Sequence, residues 1–319
     1  MSGSGKETTF RAFTGKQGAN YAQNRRDYHP RLYDAIIDHH RSTGGQFDVL
    51  LDVGCGPGIA ARRLAPLFRE TVAIDPSEGM IETARSLASP EDPTTIRFAV
   101  SSAEELGSDL SPPDPVVDDG TVDLITAATA AHWFDMPRFW ASAARRLKPG
   151  GTVALWCSGP ICVSPATPNH GAIQAAIDRL RDMVDEYMTE GNRMAQDRYV
   201  DLVLPWTVPT VPEAVGEMFD KSSFVRKEWG TEEGMEPGDQ FYNVPGPASL
   251  DILTKVIETT SPVIRWREAH PEKVGTEEDV VVVMRREIET AFREAGVVKG
   301  AEALEGGVTG VLLLVKRCA

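Results

Sequence analysis

From residue 47 to 156, short apolar, β-branched runs alternate with stretches whose apolar residues recur every three or four positions, the rhythm of a parallel sheet covered by helices on both faces. Strands are expected over 49–53, 71–75, 96–100, 122–126 and 152–156, each apolar along its length as a doubly covered strand should be. Helices are expected over 59–68, over 77–87 with Ser77 as N-cap, and over 137–147, ahead of the turn Lys148-Pro149-Gly150-Gly151. Upstream, Leu32, Ile36 and Ile37 share a face in a segment, 21–40, that should pack on the core as a helix. Downstream, 157 to about 268 scatters prolines and loses the alternation, although Ile173, Ile177, Leu180, Val184 and Tyr187 still share a helical face. The chain closes with a helix over 278–294, carrying Val281, Met284, Ile288 and Phe292 on one side, and a strand over 310–316. The expected division is a capping segment (1–46), a ligand-binding core (47–156), an insertion that shapes a pocket (157–276) and a helix and strand that complete the core (277–319).

Composition narrows the class. At 319 residues with 41% hydrophobic and 25% charged residues, the chain suits one α/β domain with an elaboration and is short for two full enzyme domains. Its 33 Lys and Arg against 47 Asp and Glu give a net charge of −14, which disfavours nucleic acid and anionic membranes as partners, both being bound through excess cations. Cys55, Cys157, Cys162 and Cys318 lack metal-ligand spacing, so neither a disulfide framework nor a zinc site is expected, and a reducing, cytoplasmic setting fits. Residues 1–10 are polar, without the apolar stretch of a secretory signal, and no apolar run approaches membrane-spanning length. The acidic run at Glu232, Glu233 and Glu236 reads as a solvated loop and no metal is required.

The first strand runs straight into Gly54-Cys55-Gly56-Pro57-Gly58 and then into a helix. Glycines at alternate positions let the backbone approach a ligand closely, because no Cβ stands in the way. The third glycine falls one residue early for Gly-x-Gly-x-x-Gly, whose pyrophosphate sits on a helix N-terminus. The tighter turn suits a ligand without phosphates, such as S-adenosylmethionine, and disfavours a nicotinamide oxidoreductase, for which a Tyr-x-x-x-Lys pair is also lacking. Asp75, in Val72-Ala73-Ile74-Asp75-Pro76-Ser77, ends the second strand at the sheet's carboxyl edge, placed to accept hydrogen bonds from two ribose hydroxyls. Ser101-Ser102-Ala103-Glu104 closes the third strand as a loop of the kind that contacts an adenine.

These loops, with Thr126-Ala127-Ala128-Thr129-Ala130-Ala131-His132-Trp133-Phe134 after the fourth strand and Arg146-Leu147-Lys148-Pro149-Gly150-Gly151 before the fifth, resemble the class I S-adenosylmethionine-dependent methyltransferases across the whole core. The resemblance implies a Rossmann-like α/β sheet, mostly parallel with a C-terminal antiparallel strand, plus an inserted lid or substrate subdomain. It puts the cofactor's methionine part against Gly54, Cys55 and Gly56, its ribose on Asp75 and its adenine near Met80, Ser102, Ala103 and Glu104, with Ala128 and His132 facing the sulfonium and the substrate. Asp52, Gly58 and Pro76, in the same motifs, join the cofactor set, and Cys55 serves through its backbone. Outside the core, Tyr21-Ala22-Gln23-Asn24-Arg25-Arg26-Asp27-Tyr28-His29-Pro30 looks like the Y-x-x-x-R-P-x-Y-P cap of the trans-aconitate methyltransferase branch, departing from it at Arg26 and His29. Arg198 to Trp206 and Thr259 to Trp266 resemble insertion segments of that branch's fungal members, with a departure at Pro262.

Methyl transfer from a sulfonium is an in-line displacement, so the main tasks are to align nucleophile and methyl group and to exclude water. A carboxylate with a pKa of about 4 is already ionised at pH 7 and needs only positioning by Arg or Tyr, whereas a phenol, amine or thiol profits from a base. His132 is the candidate base. Tyr21 is assigned to the cofactor and Arg25, Tyr28, Trp133 and Trp266 to the substrate, with Tyr21 and Arg25 facing either the cofactor's carboxylate or a substrate acid. Phe134 is expected as pocket wall, and His39-His40 and Arg62-Arg63 as solvated helix surface. The favoured reading is methylation of a small molecule at a carboxylic acid oxygen; a specialised metabolite with another O, N or S nucleophile, and a protein that binds S-adenosylmethionine without transferring its methyl group, stand as alternatives.

Overall fold

The computed structural model describes residues 15–87, 95–114, 117–207, 210–230, 240–243 and 246–319. The acidic run at 232–236 and residues 1–10 lie outside them. Seven strands form the main sheet: β1 (Val49–Val53), β2 (Glu70–Asp75), β3 (Ile96–Val100), β4 (Val122–Ala128), β5 (Leu147–Val163), β6 (Phe219–Trp229) and β9 (Gly306–Arg317). A two-stranded ribbon, β7 (Ala248–Ser249) with β8 (Ala303–Leu304), stands apart from it. The sheet order is β3-β2-β1-β4-β5-β9-β6. β1 to β5 pair in parallel and β9 runs antiparallel between β5 and β6. This is the Rossmann-like, mostly parallel sheet with a late antiparallel strand that the sequence led us to expect. The order reverses between β1 and β4, and the crevice beyond the carboxyl ends of strands at such a point is where open α/β sheets bind ligands.

The helices are α1 (Gly15–Asn24), α2 (Pro30–Ser42), α3 (Ile59–Leu64), α4 (Glu78–Ser86), α5 (Met136–Arg146), α6 (His170–Met183), α7 (Glu190–Gln196), α8 (Glu213–Gly216), α9 (Leu250–Glu258), α10 (Ser261–Ala269) and α11 (Val280–Glu294). Successive strand residues serve opposite faces. Leu51, Val53 and Ile125 pack with Phe139 and Trp140 of α5, while Leu50 and Leu124 pack with Leu32 and Ile36 of α2 and with Trp156. Buried Asp123 on β4 accepts the backbone N–H groups of Asp48 (2.9 Å) and Val49 (2.8 Å) and pairs with Lys148, so the start of β1 is fixed against β4.

Three features differ from the sequence reading. The segment 21–40 is broken into α1 and α2, because Pro30 fits only at a helix start and His29 caps it, its Nδ1 accepting from the Arg31 N–H at 3.3 Å. Residues 157–276, which lack the alternation, nevertheless supply an edge strand, β6, paired with β9 from Phe219↔Arg317 to Trp229↔Gly310. The C-terminal helix α11 packs with α6, α9 and α10 rather than with the sheet: Met284, Ile288 and Phe292 share one core with Ile173, Ile177, Leu250 and Val263.

Candidate functional site

β1 delivers Gly54, Gly56 and Gly58 to the carboxyl edge with φ of 65°, 53° and 85°, a region that a side chain strongly disfavours. A Cβ on Gly54 would lie 2.7 Å from that of Ala130, whereas one on Gly56 would meet nothing within 4 Å and would project into open space. Arg62 stabilises the turn. Its guanidinium donates to the carbonyls of Pro57 (2.6 Å) and Gly58 (3.1 Å) and stacks over Phe98, which corrects the expectation of a solvated helix cation: Arg62 is half-buried where these turn carbonyls and that of Ala84 converge.

A cleft of about 1080 Å³ opens over this loop. Asp75 faces it and accepts the Gly56 N–H (2.9 Å) through Oδ2 and the Ser77 N–H (2.8 Å) through Oδ1, so one carboxylate holds the β1 and β2 turns in register. Of the residues assigned to the cofactor, Tyr21, Gly54, Cys55, Gly56, Asp75, Pro76, Met80, Ala103, Glu104 and Ala128 line the cleft. Asp52, Gly58 and Ser102 do not line it. Asp52 is fully buried behind the loop, its Oδ1 accepting from the Thr126 hydroxyl at 2.6 Å; burial, opposed by that hydrogen bond, pushes its pKa up to about 7. The Gly58 Cβ position is filled by Arg62 and Phe98, and the Ser102 hydroxyl accepts from the Glu105 N–H in a turn. Burial raises the Cys55 thiol well above its ordinary range, leaving it an apolar packing group.

A second cavity, of about 1300 Å³, adjoins the cleft, and both are lined by Tyr21, Arg25, Thr129, Trp133 and Tyr242. These five residues form the seam between them. Arg25 follows the end of α1; its guanidinium lies 4.7 Å over the Tyr21 ring, makes a long hydrogen bond to the Thr259 carbonyl (3.4 Å) and another with the Tyr242 side chain, and keeps a buried Nε with no partner. Among the described residues it forms no ion pair. Tyr28 stacks on Tyr242 (5.3 Å) and packs edge-on to Trp156, while its hydroxyl pairs with the Thr129 hydroxyl at 2.9 Å. The Asn243 N–H donates to Asp27 and the His29 N–H to Phe241, so the cap is laced to the insertion. Thr129, with φ of 52°, occupies the left-handed region as a β-branched residue, strain of a kind that clusters at functional sites.

His132 opens on the second cavity, its Nδ1 hydrogen-bonded to the Tyr199 hydroxyl at 3.0 Å, and burial drives its pKa down to about 3. Trp133 and Phe134 line the cleft, and Trp133 lines the second cavity as well. Trp266 belongs to neither space: it is buried in the helical core, its ring 4.8 Å from that of His270. His40, expected at a solvated surface, is fully buried between the Thr152 hydroxyl and the Gln46 carbonyl, both at 2.7 Å, because the end of α2 lies against the sheet. Sequence reasoning missed Tyr242, which follows no motif, and Thr129, whose backbone strain no pattern reveals. Among the described residues no helix is long and apolar enough to cross a membrane, and no cluster of three or more His, Cys, Asp or Glu could hold a metal.

The fold and the glycine cleft by themselves define a class: a Rossmann-like sheet with its ligand loop at the switch point. Residues 51–155 match the family model described as a methyltransferase domain. The chain is 31% identical over 190 residues to a Dictyostelium discoideum protein described as a methyltransferase, covering 59% of this chain and 64% of that one. It is 30% identical over 141 residues to the Saccharomyces cerevisiae protein CRG1, described as an S-adenosylmethionine-dependent methyltransferase (44% and 45% covered), and 32% identical over 174 residues to the methyltransferase cfoB of Aspergillus candidus (54% and 52%). The alignments thus span about half to just under two thirds of these relatives. Among solved structures, one from Anaeromyxobacter dehalogenans described as a type II methyltransferase has the same fold, with a TM-score of 0.57 and 22% identity over 92% of this chain and 97% of that one. Over residues 51–155, then, the chain is similar to a methyltransferase domain.

Proposed function

We infer that the chain is an S-adenosylmethionine-dependent methyltransferase of a small molecule and that the acceptor is a carboxylate oxygen. Open space beside Gly56 and a carboxylate at Asp75 facing the cleft suit a nucleoside cofactor whose ribose and methionine parts meet at that loop. Gly54, Gly56, Asp75, Met80, Ala103 and Glu104 would hold it. When bound, S-adenosylmethionine supplies an electrophilic methyl group whose bond to sulfur breaks, leaving its electron pair on sulfur, as an oxygen attacks.

The observation that carries the acceptor is Arg25: a guanidinium with a buried, unpartnered Nε and, among the described residues, no ion pair, standing on the seam between the cleft and the second cavity. A buried guanidinium is satisfied best by a bidentate carboxylate. Arg25 would fix such a group at the boundary, Tyr21 and Tyr242 would pack about it, and Trp133 would exclude water. His132 supports the same choice. With its pKa near 3 it is neutral at pH 7 and a weak base, a handicap for deprotonating a phenol or amine and irrelevant to a carboxylate already ionised.

Incubation with S-adenosylmethionine labelled in its methyl group and a panel of acids, phenols, amines and thiols, read by product mass, tests this reading. A labelled methyl ester is expected from an acid. Turnover on phenols, amines or thiols alone would move the function to methylation of another nucleophile, and cofactor binding with no turnover on any member of the panel would favour a non-methylating role.

A further inference from the structure

The favoured carboxylate occupies only the seam and leaves most of the adjoining space to be explained. Beyond Arg25 the second cavity is walled by apolar residues of α6, α9 and α10, among them Ile177, Leu180, Ile257 and Val263. A third cavity, of about 850 Å³, lies against it, and the two share Arg25, Ile161, Ile177, Tyr242, Val256 and Val308. This space exists because β5 and β9 overrun the sheet: their pairing continues to Val163↔Gly306, and α9 with the β7–β8 ribbon closes over the projecting ends. Ile161, Val163 and Leu253 are only partly buried against the helical core because they face this opening.

Charge is distributed unevenly around this path. Among the described lining residues of the second cavity the cations are Arg25 and Arg181, and Arg181 pairs with Asp178 at 3.5 Å. Arg26 reaches the cleft and the third cavity but not the second. A di- or tricarboxylate bound in the second cavity would therefore find no second cation free of an ion pair among the described lining residues, only neutral groups such as Ser158, Gln196 and Thr260 beside apolar side chains, at a large desolvation cost. The geometry points to a substrate with one carboxylate head and an extended apolar tail, the head at Arg25 and the tail lying past Ile161, Ile177 and Val256 into the third cavity. This rests on the acid-methylation reading and specifies its substrate class.

The test is calorimetric titration of the S-adenosylhomocysteine-saturated protein with straight-chain saturated monocarboxylic acids of increasing length, with citrate as comparator, alongside ester formation from the same acids with S-adenosylmethionine. Affinity should rise roughly three- to fourfold per added methylene and level off once the third cavity is filled, and citrate should bind more weakly than the longer acids. Leu253→Trp, which fills that cavity, should move the plateau to shorter acids, and Ile252→Phe should do the same if the tryptophan variant misfolds. Ester formation with flat dependence on length, tighter binding of citrate, or a plateau unmoved in folded variants would overturn the tail assignment while acid methylation stands. Cofactor binding with no ester and no binding of any acid would overturn both.

Discussion

The cleft over the glycine loop and the second cavity meet at five side chains, yet they are built in opposite ways. The cleft is walled chiefly by the turns that follow β1, β2, β3 and β4, each within a few residues of its strand; from outside 51–155 it takes Tyr21, Arg25, Arg26, Tyr28 and Tyr242. The cavity takes only Thr129, His132 and Trp133 from that core, and its other walls come from α1, the overrunning β5 and β9, and the helices of the insertion. A site made of consecutive loops at a switch point inherits its geometry from the sheet. One made from helices packed on one another depends on how several distant segments meet, so under the proposed function cofactor choice and substrate choice are separable.

Substitutions can break that separation or sharpen it. Arg25→Gln should have the largest effect, lowering kcat/KM on an acid by roughly 30- to 1000-fold, about 2 to 4 kcal/mol for one partner of a buried charge pair, while S-adenosylhomocysteine affinity changes several-fold at most. Steady-state kinetics and calorimetry on one preparation check both. Asp75→Ala should show the reverse pattern, weakening cofactor binding by about 1 to 3 kcal/mol because the hydrogen bonds of Gly56, Ser77 and a ribose lose their acceptor.

A smaller effect lies behind the loop. The Asp52 pKa is raised on folding to about 7, so between roughly pH 4 and 7 the folded state holds a proton that the unfolded chain has released, and stability falls as pH rises through about 7. Asp52→Asn keeps an acceptor for Thr126 and removes this titration. Its Tm should match that of the wild type within roughly 2 °C at pH 5 and exceed it by more than that at pH 8.5, in thermal melts at both values. The smallest effect should come from Trp266→Phe: packed beside His270 in the helical core, it should cost some stability while KM and cofactor affinity stay within about twofold.

The parallel core was legible because strands covered on both faces read as unbroken apolar runs, and the glycine loop because its residue types are dictated by backbone shape. The edge strand β6 was not legible: Asp220, Lys221, Ser222, Ser223, Arg226, Lys227 and Glu228 crowd eleven residues paired on one side only. Arg62 and His40 looked like surface because their partners, a pair of turn carbonyls and the remote Thr152, are set by tertiary structure. Trp266 sits in a segment whose resemblance suggested the substrate, and only the packing of α10 shows where its ring goes. Arg25 was legible as a candidate; that it stands at the junction of the cavities, with no ion pair among the described residues, is a property of the fold.

The most direct test is calorimetric titration of wild type, Asp75→Ala and Arg25→Gln with S-adenosylhomocysteine. One site per chain is expected in the wild type, clearly weakened by Asp75→Ala and changed several-fold at most by Arg25→Gln. No binding to the wild type, or binding abolished by Arg25→Gln and indifferent to Asp75→Ala, would contradict the division between a cofactor cleft on the sheet and a substrate cavity on the helices.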